Sequence, residues 1–314
     1  MDRSTRTILR KLVIDFLCLL IVGMVVLYFF LFGKPFKRGF FCNDESLYHP
    51  YANSTVTSAM LYITGLFLPI CVMIIGEYVH SKKSPGQSAM VFFGYTIPPW
   101  IVKAYSKIGV FGFGAISTTL ITDIAKYNIG RLRPHFMTAC VPNVDCSLPE
   151  NQHRYIEDFT CTATNVSARL LKEIRLSFPS GHSSFSAYTM VYLAMYLQLR
   201  FTWRGSRLLK HFLQLICLSM AWFTAMSRVS NYKHHWSDVL AGSSLGIIIA
   251  LIVAFCIADL FKKKRGPSVD VDKSKACEYE GQTEMDAEGT QTESRPLRSV
   301  TPTYGGTITL TRGA

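Results

Sequence analysis

Apolar residues along this chain gather into long unbroken runs rather than the short alternating stretches of half-buried strands. Runs of about twenty residues, the length a helix needs to cross the hydrocarbon of a bilayer, fall near 12–32, 57–77, 108–125, 183–199, 208–225 and 239–261. The pattern predicts an all-α polytopic membrane protein with six transmembrane helices in a bundle. A further apolar stretch near 89–101 is about 13 residues long, short of a span, and it holds Pro98 and Pro99. The prolines remove two backbone donors and restrict Ile97, whereas a span must satisfy every backbone group within itself. That stretch is expected to lie at the interface.

Composition agrees with the pattern. Of 314 residues, 49% are hydrophobic and 17% charged, against about 25% charged in soluble domains, and the mean hydropathy is +0.22. Arg3, Arg6, Arg10 and Lys11 precede the first run, which is too long for a cleaved leader and reads as a retained signal anchor. The positive-inside rule then puts the N-terminus in the cytosol, and six spans return the C-terminus to the same side. Lys82 and Lys83, then Arg200, Arg204, Arg207 and Lys210, and finally Lys262, Lys263, Lys264 and Arg265 all fall on that side. The expected organisation is a cytosolic N-terminus over 1–11, a six-span domain over 12–265, and a disordered acidic cytosolic tail over 266–314.

The net charge of +12 is not all a retention signal. Lys126, Arg131, Arg133, Arg154, Arg169, Lys172 and Arg175 lie in a large loop on the translocated side, where a bound anion is the simplest reason for them. Cys42, Cys140, Cys146 and Cys161 fall in translocated loops, where disulfides persist, and their spacing leaves three pairings open. Cys18, Cys71, Cys217 and Cys256 lie within spans as small apolar residues. Two glycosylation sequons, at Asn53 and Asn165, fall on the translocated face as well.

Three segments place polar and charged residues at the ends of apolar helices: Lys126 through Arg133 to Pro134, then Pro179-Ser180-Gly181-His182, then Ser227-Arg228 through His234 to Asp238. The first and third follow odd-numbered spans and the second precedes an even-numbered one, so all three emerge on the translocated face. Lys126 and Arg133 are seven apart and would share one side of a helix that ends near Pro134. His182, His234, His235 and Asp238 alone would suit zinc, but Lys126, Arg133 and Arg228 would repel it and fit a phosphate instead. Ser180 is placed to cap the fourth span, whose free N–H groups favour an anion. His234 and Asp238, four apart on the opening turn of the last span, would form a pair in which the carboxylate fixes the imidazole tautomer and frees the other nitrogen to attack phosphorus. His182, from another helix, would protonate the leaving alcohol and later activate water. His235 is left without a role.

These segments resemble the three-part signature of the type 2 phosphatidic acid phosphatase superfamily: Lys-x6-Arg-Pro, Pro-Ser-Gly-His and Ser-Arg-x5-His-x3-Asp. With Cys42-Asn-Asp-Glu-Ser46, Gly130-Arg-Leu-Arg-Pro-His-Phe136 and Arg200-Phe-Thr-Trp-Arg-Gly205, the chain is similar over about residues 10–265 to the lipid phosphate phosphatases, or phospholipid phosphatases. The resemblance implies magnesium-independent hydrolysis of phosphatidate, lysophosphatidate, sphingosine 1-phosphate and ceramide 1-phosphate, with no cofactor or metal. It implies His234 as nucleophile and His182 as acid and base, with Asp238 orienting His234, and phosphate held by Lys126, Arg133, Ser180, Gly181 and Arg228. Residence at the plasma membrane and in secretory-pathway membranes, an extracellular or lumenal site, and a homo-oligomer follow as family expectations. The expected partners are lipid phosphates and the bilayer, not nucleic acid. The alternatives are a sugar-phosphate phosphatase of the same superfamily and a lipid-phosphate binder or transporter without turnover, although a binder needs the cations and not the His182, His234 and Asp238 set.

Overall fold

A computed structural model of the chain describes residues 3–83, 90–164, 166–201, 205–258 and 260. Asn165 and the tail from 266 to 314 lie outside these residues. Helix α1 (Arg3–Phe32) leads to a two-residue strand, β1 (Phe40–Phe41). Helix α2 (Ser58–Tyr62), one π-helical turn (Ile63–Phe67) and α3 (Leu68–Lys83) follow one another without a break. A hairpin, β2 (Met90–Phe92) and β3 (Tyr95–Ile97), precedes the long α4 (Pro99–Ile129). A layer of short elements follows: α5 (Phe136–Cys140), α6 (Pro149–Gln152), β4 (Tyr155–Ile156) and α7 (Ala168–Glu173). The chain then returns through α8 (Gly181–Arg200), α9 (Leu209–Ser230) and α10 (Trp236–Ile252), the last continued by a π-helical turn (Val253–Ile257).

Among the described residues five helical stretches are long and apolar enough to cross a bilayer: Thr5–Phe32, Ser58–Lys82, Pro99–Ile129, Leu209–Ser230 and Trp236–Ile257. The stretch expected as the fourth of six spans forms the helix α8, which is not apolar enough to count among them, and its environment explains why. α8 is the central helix, with Ser183, Ser184, Ser186, Tyr188, Thr189, Tyr192 and Tyr196 all buried. Its neighbours are protein, so it gains nothing from a lipid-compatible surface. Several of its hydroxyls are satisfied locally or across helices: Thr189 donates to the Phe185 carbonyl at 3.0 Å, Tyr188 to the Phe111 carbonyl at 2.7 Å and Tyr196 to the Met73 carbonyl at 3.2 Å. The outer helices show the opposite pattern, with Phe16, Ile21, Phe30, Ile63, Ile75, Phe212 and Leu215 exposed where acyl chains would cover them.

α8 and α10 approach closely because α10 carries glycines where they meet. A Cβ on Gly242 would come within 2.5 Å of the Ser180 carbonyl oxygen, and one on Gly246 within 2.2 Å of the Ser184 carbonyl oxygen. The apolar stretch over 89–101 forms no span of its own. Phe93 and Gly94, with φ of 50° and 82°, turn the β2–β3 hairpin, and Pro99 opens α4 at the first helical position, where its missing N–H costs nothing. α4 therefore starts well before residue 108.

The ends of the helices sort into two groups. The start of α1 meets the hairpin, where the Phe93 N–H donates to Thr5 Oγ1 at 3.4 Å. The end of α1 meets the end of α4: the Phe29 and Tyr127 rings stack at 5.4 Å, and the Phe36 N–H donates to the Tyr127 carbonyl at 3.0 Å. All three charged segments lie at this second end. It is roofed by the short-element layer, in which β1 pairs antiparallel with β4 and Phe40, Leu132, Phe136, Ile156 and Ile174 form a small core. The structure resolves the cysteine pairing left open above: Cys42–Cys146 and Cys140–Cys161. Non-reducing peptide mapping is expected to recover these two pairs, and Cys140→Ser to lower thermal stability by about 2–4 kcal/mol. A Cys42–Cys140 or Cys42–Cys161 crosslink would contradict the arrangement of this layer.

Candidate active site

The three segments meet through backbone bonds before any side chain is considered. α4 stops at Ile129 because Gly130 takes the left-handed conformation, φ 59°, and its N–H returns to the Lys126 carbonyl at 3.1 Å. A Cβ on Gly130 would lie 2.3 Å from the Phe36 carbonyl oxygen, so the position also demands a bare backbone. This corrects the expectation that one helix carries both Lys126 and Arg133. Only Lys126 is helical. Arg133 sits on an extended segment whose bonds run to the approach to α8, with the Arg133 N–H on the Ile174 carbonyl at 2.8 Å and the Ser177 N–H on the Arg131 carbonyl at 2.9 Å.

Ser180 caps α8, its Oγ accepting from the Ser183 N–H at 3.4 Å and from Ser183 Oγ at 2.9 Å. Its own N–H donates to the Asp238 carbonyl at 2.9 Å, which ties the start of α8 to the first turn of α10. Gly181 faces Lys126 directly, since a Cβ there would lie 2.9 Å from Lys126 Nζ. Arg228, 2% exposed, closes α9. It contacts Ser227 Oγ through Nε and Nη2 at 3.3 Å, and its carbonyl accepts from the N–H groups of Lys233 and His234 at 3.0 and 3.2 Å. That carbonyl folds the α9–α10 loop so that His234 turns inward, 4% exposed.

The second correction concerns His234 and Asp238. α10 begins at Trp236, so His234 precedes the helix and the two do not share a helical face. His234 Nδ1 lies 2.7 Å from the Ser177 carbonyl and 3.8 Å from Asp238 Oδ2. A carbonyl only accepts, so Nδ1 carries the proton and Nε2 keeps its lone pair. The tautomer is set by Ser177, with the Asp238 charge just behind it. Asp238 is wholly buried and is held from several sides: Ser177 Oγ donates to Oδ2 at 2.6 Å, the His235 N–H to Oδ2 at 3.0 Å, and Arg131 Nη1 pairs with Oδ1. His235 caps α10 and holds Asp238 through its backbone, and its ring Nδ1 lies 3.2 Å from Oδ2.

The field in the site is strongly positive. His182 stands among Arg228, His234, Lys126 and Arg133. Burial first, then Arg133 and Lys126, push the His234 imidazole down to about 3 against the pull of Asp238, so its ring is neutral at any pH above that value. Burial also presses the Arg133 guanidinium below its usual range, with Glu173 opposing. Arg133 Nε and His182 Nε2 are buried with no hydrogen-bond partner among the described residues. Buried polar atoms are nearly always paired, and unpaired nitrogens in a ring of cations fit a ligand that brings anionic oxygens. Among the described residues no cluster of three or more His, Cys, Asp or Glu side chains is placed to hold a metal.

Asn53 is exposed on the loop before α2, where its neighbour Ser54 lies 3.5 Å from Arg228 Nη1. Sequence reasoning missed Ser177 altogether and saw Arg131 only as one cation of a basic loop. Ser177 acts across 57 residues through a carbonyl, and no spacing rule marks such a contact.

The profile of the PAP2 superfamily matches residues 107–262. The chain is 52% identical to a Drosophila melanogaster protein named "Putative phosphatidate phosphatase", over 84% of this chain and 72% of that one. It is 38% identical to phospholipid phosphatase 1 of Rattus norvegicus, over 81% and 87% of the two chains, and 36% identical to phospholipid phosphatase 2 of Homo sapiens, over 80% and 84%. The chain belongs to the PAP2 superfamily and is a multi-pass membrane protein.

Arg131→Ala frees one oxygen of Asp238 and loosens the bonds behind His234. It is expected to lower kcat by roughly a hundredfold, the scale of a small misplacement of reacting groups, with KM little changed and membrane insertion intact. Steady-state phosphate release from the purified variant checks this, and an unchanged kcat would place Arg131 outside the machinery.

Proposed function

We propose that this PAP2 superfamily member is a lipid phosphate phosphatase that works through a phosphohistidine on His234 without magnesium. Its substrates on this account are phosphatidate, lysophosphatidate, sphingosine 1-phosphate and ceramide 1-phosphate. The observation that carries the proposal is His234 with Nδ1 turned to the Ser177 carbonyl, beside the buried and unpaired nitrogens of Arg133 and His182, which call for phosphoryl oxygens. The activities named for the rat, human and fly relatives support the lipid class. So does Trp236, 70% exposed beside His235 at the rim of the site, since aromatic side chains favour the bilayer interface.

In the first step His234 Nε2 attacks phosphorus and the ester P–O bond breaks. The leaving alkoxide takes a proton from His182, which yields the alcohol and a phosphohistidine. In the second step His182 takes a proton from water, the oxygen attacks phosphorus, the N–P bond breaks, and inorganic phosphate leaves with His234 restored. Lys126, Arg133, Arg228, the Ser180 hydroxyl and the Gly181 amide at the start of α8 stabilise charge on the equatorial oxygens in both steps. Asp238 and the Ser177 carbonyl stabilise the imidazole as it becomes positive. Bound phosphate also offsets the cationic field, raising the affinity of His182 for the proton it must donate.

The site lies at the bundle end opposite the start of α1. With Arg3, Arg6, Arg10 and Lys11 held in the cytosol, it opens to the extracellular space or a lumen, and the two disulfides at that end agree with an oxidising compartment. Plasma-membrane and secretory residence, glycosylation at Asn53 and Asn165, and homo-oligomers belong to the same proposal.

The test is purified chain assayed on phosphatidate in mixed micelles, with glucose 6-phosphate as the soluble comparison. Turnover is expected to follow the surface concentration of phosphatidate, to survive excess EDTA, and to fall by about 10⁵-fold or more in His234→Ala. Preferred cleavage of glucose 6-phosphate, collapse in EDTA restored by magnesium, or substantial turnover by His234→Ala would each contradict it.

A further inference from the structure

Lys233 immediately precedes His234 and belongs to none of the groups placed above. It is 5% exposed, and its Nζ lies 3.6 Å from the centroid of the Tyr51 ring. Its charged neighbours are Arg133 from the segment after α4, Arg228 from α9 and Glu173 from α7. His135, wholly buried and in the same field, meets the Tyr51 ring edge-on at 5.2 Å. Among the described residues no carboxylate comes within ion-pair distance of Lys233, while Arg131, Arg169 and Arg200 each have one. A buried cation without a counter-ion destabilises a fold, and an apolar side chain of the same length would pack the loop against Tyr51 at lower cost. The ring face supplies part of the missing negative potential. It does not account for a third cation held beside two guanidiniums.

We propose that Lys233, cradled by Tyr51, is a further substrate-binding cation that contacts the phosphoryl group. The proposal rests on the phosphatase function above and assigns to the same site a residue at a position that the three-part signature leaves unspecified. Burial first, then Arg133 and Arg228, lower the Lys233 ammonium to about 8, with Glu173 opposing. A free enzyme that needs this cation loses substrate affinity as pH rises through that value, and a bound dianion restores the charge.

The experiment compares full-length wild type, Lys233→Met and Lys233→Arg in detergent, with His234→Ala as the blank and thermal unfolding as the control for folding. It reads KM and kcat on phosphatidate micelles, the inhibition constant of inorganic phosphate, and the pH profile of kcat/KM. Lys233→Met is expected to raise KM and the phosphate inhibition constant together by roughly tenfold, the scale of one charged hydrogen bond. Lys233→Arg is expected to restore both and to move the alkaline limb upward, a response that loop packing alone would not give. An unchanged phosphate inhibition constant in Lys233→Met would overturn the proposal, because the lysine would then serve lipid presentation or packing. If Lys233→Met fails to fold, Lys233→Arg decides: an alkaline limb left in place overturns it. Turnover by His234→Ala would remove the underlying phosphatase mechanism, an outcome distinguishable from failure of the Lys233 assignment alone.

Discussion

Like charges repel, and the repulsion grows as water is removed. Lys126, Arg133 and Arg228 are nevertheless held together at one end of a helical bundle, around the imidazoles of His182 and His234. Much of the surrounding architecture is what that requires. α10 carries glycines so that it can lie against the first turns of α8, Gly130 ends α4 on a turn only glycine adopts comfortably, and the segment bearing Arg133 is hydrogen-bonded to the strand of chain that enters α8. A backbone tied this firmly keeps the cations from moving apart.

The same rigidity serves chemistry. Preorganised charge costs nothing to reorganise when a phosphoryl group arrives, and the tautomer of His234 is already chosen by a carbonyl that cannot donate. Ser177 links these functions, since its carbonyl accepts a hydrogen bond from His234 Nδ1 and its hydroxyl donates to Asp238. The roof of short elements, pinned by two disulfides, packs Leu132 and Phe136 on either side of Arg133 in the chain. Stability and function are thus coupled at this end of the molecule, while the outer helices answer to the bilayer.

Much of this was legible in the order of residues. Apolar length located the five stretches that are long and apolar enough to cross a bilayer, because there periodicity matters less than an uninterrupted run. The segments carrying Lys126, His182 and His234 stood out as polar residues at the ends of such runs, and topology put them on one face. What stayed hidden depends on contacts without a local period. The stop at Gly130 comes from the approach of Phe36, not from Pro134. His234 lies ahead of its helix because the Arg228 carbonyl folds the loop there. The polar character of α8 reflects a helix surrounded by protein, and hydropathy measured on one segment carries no information about its neighbours. The disulfide pairing waited on the meeting of β1 with β4, two short strands more than a hundred residues apart.

The central claim is that groups from three distant segments close around one phosphoryl group with His234 on the attacking side. A structure of the chain with vanadate bound tests this most directly, because vanadate takes the trigonal geometry of a phosphoryl group in transfer. The account predicts vanadium bonded to His234 Nε2, its equatorial oxygens on Lys126, Arg133 and Arg228, and His182 facing the opposite apical oxygen. Vanadate bonded to His182 or His235 instead, or lodged away from Arg133, would contradict it.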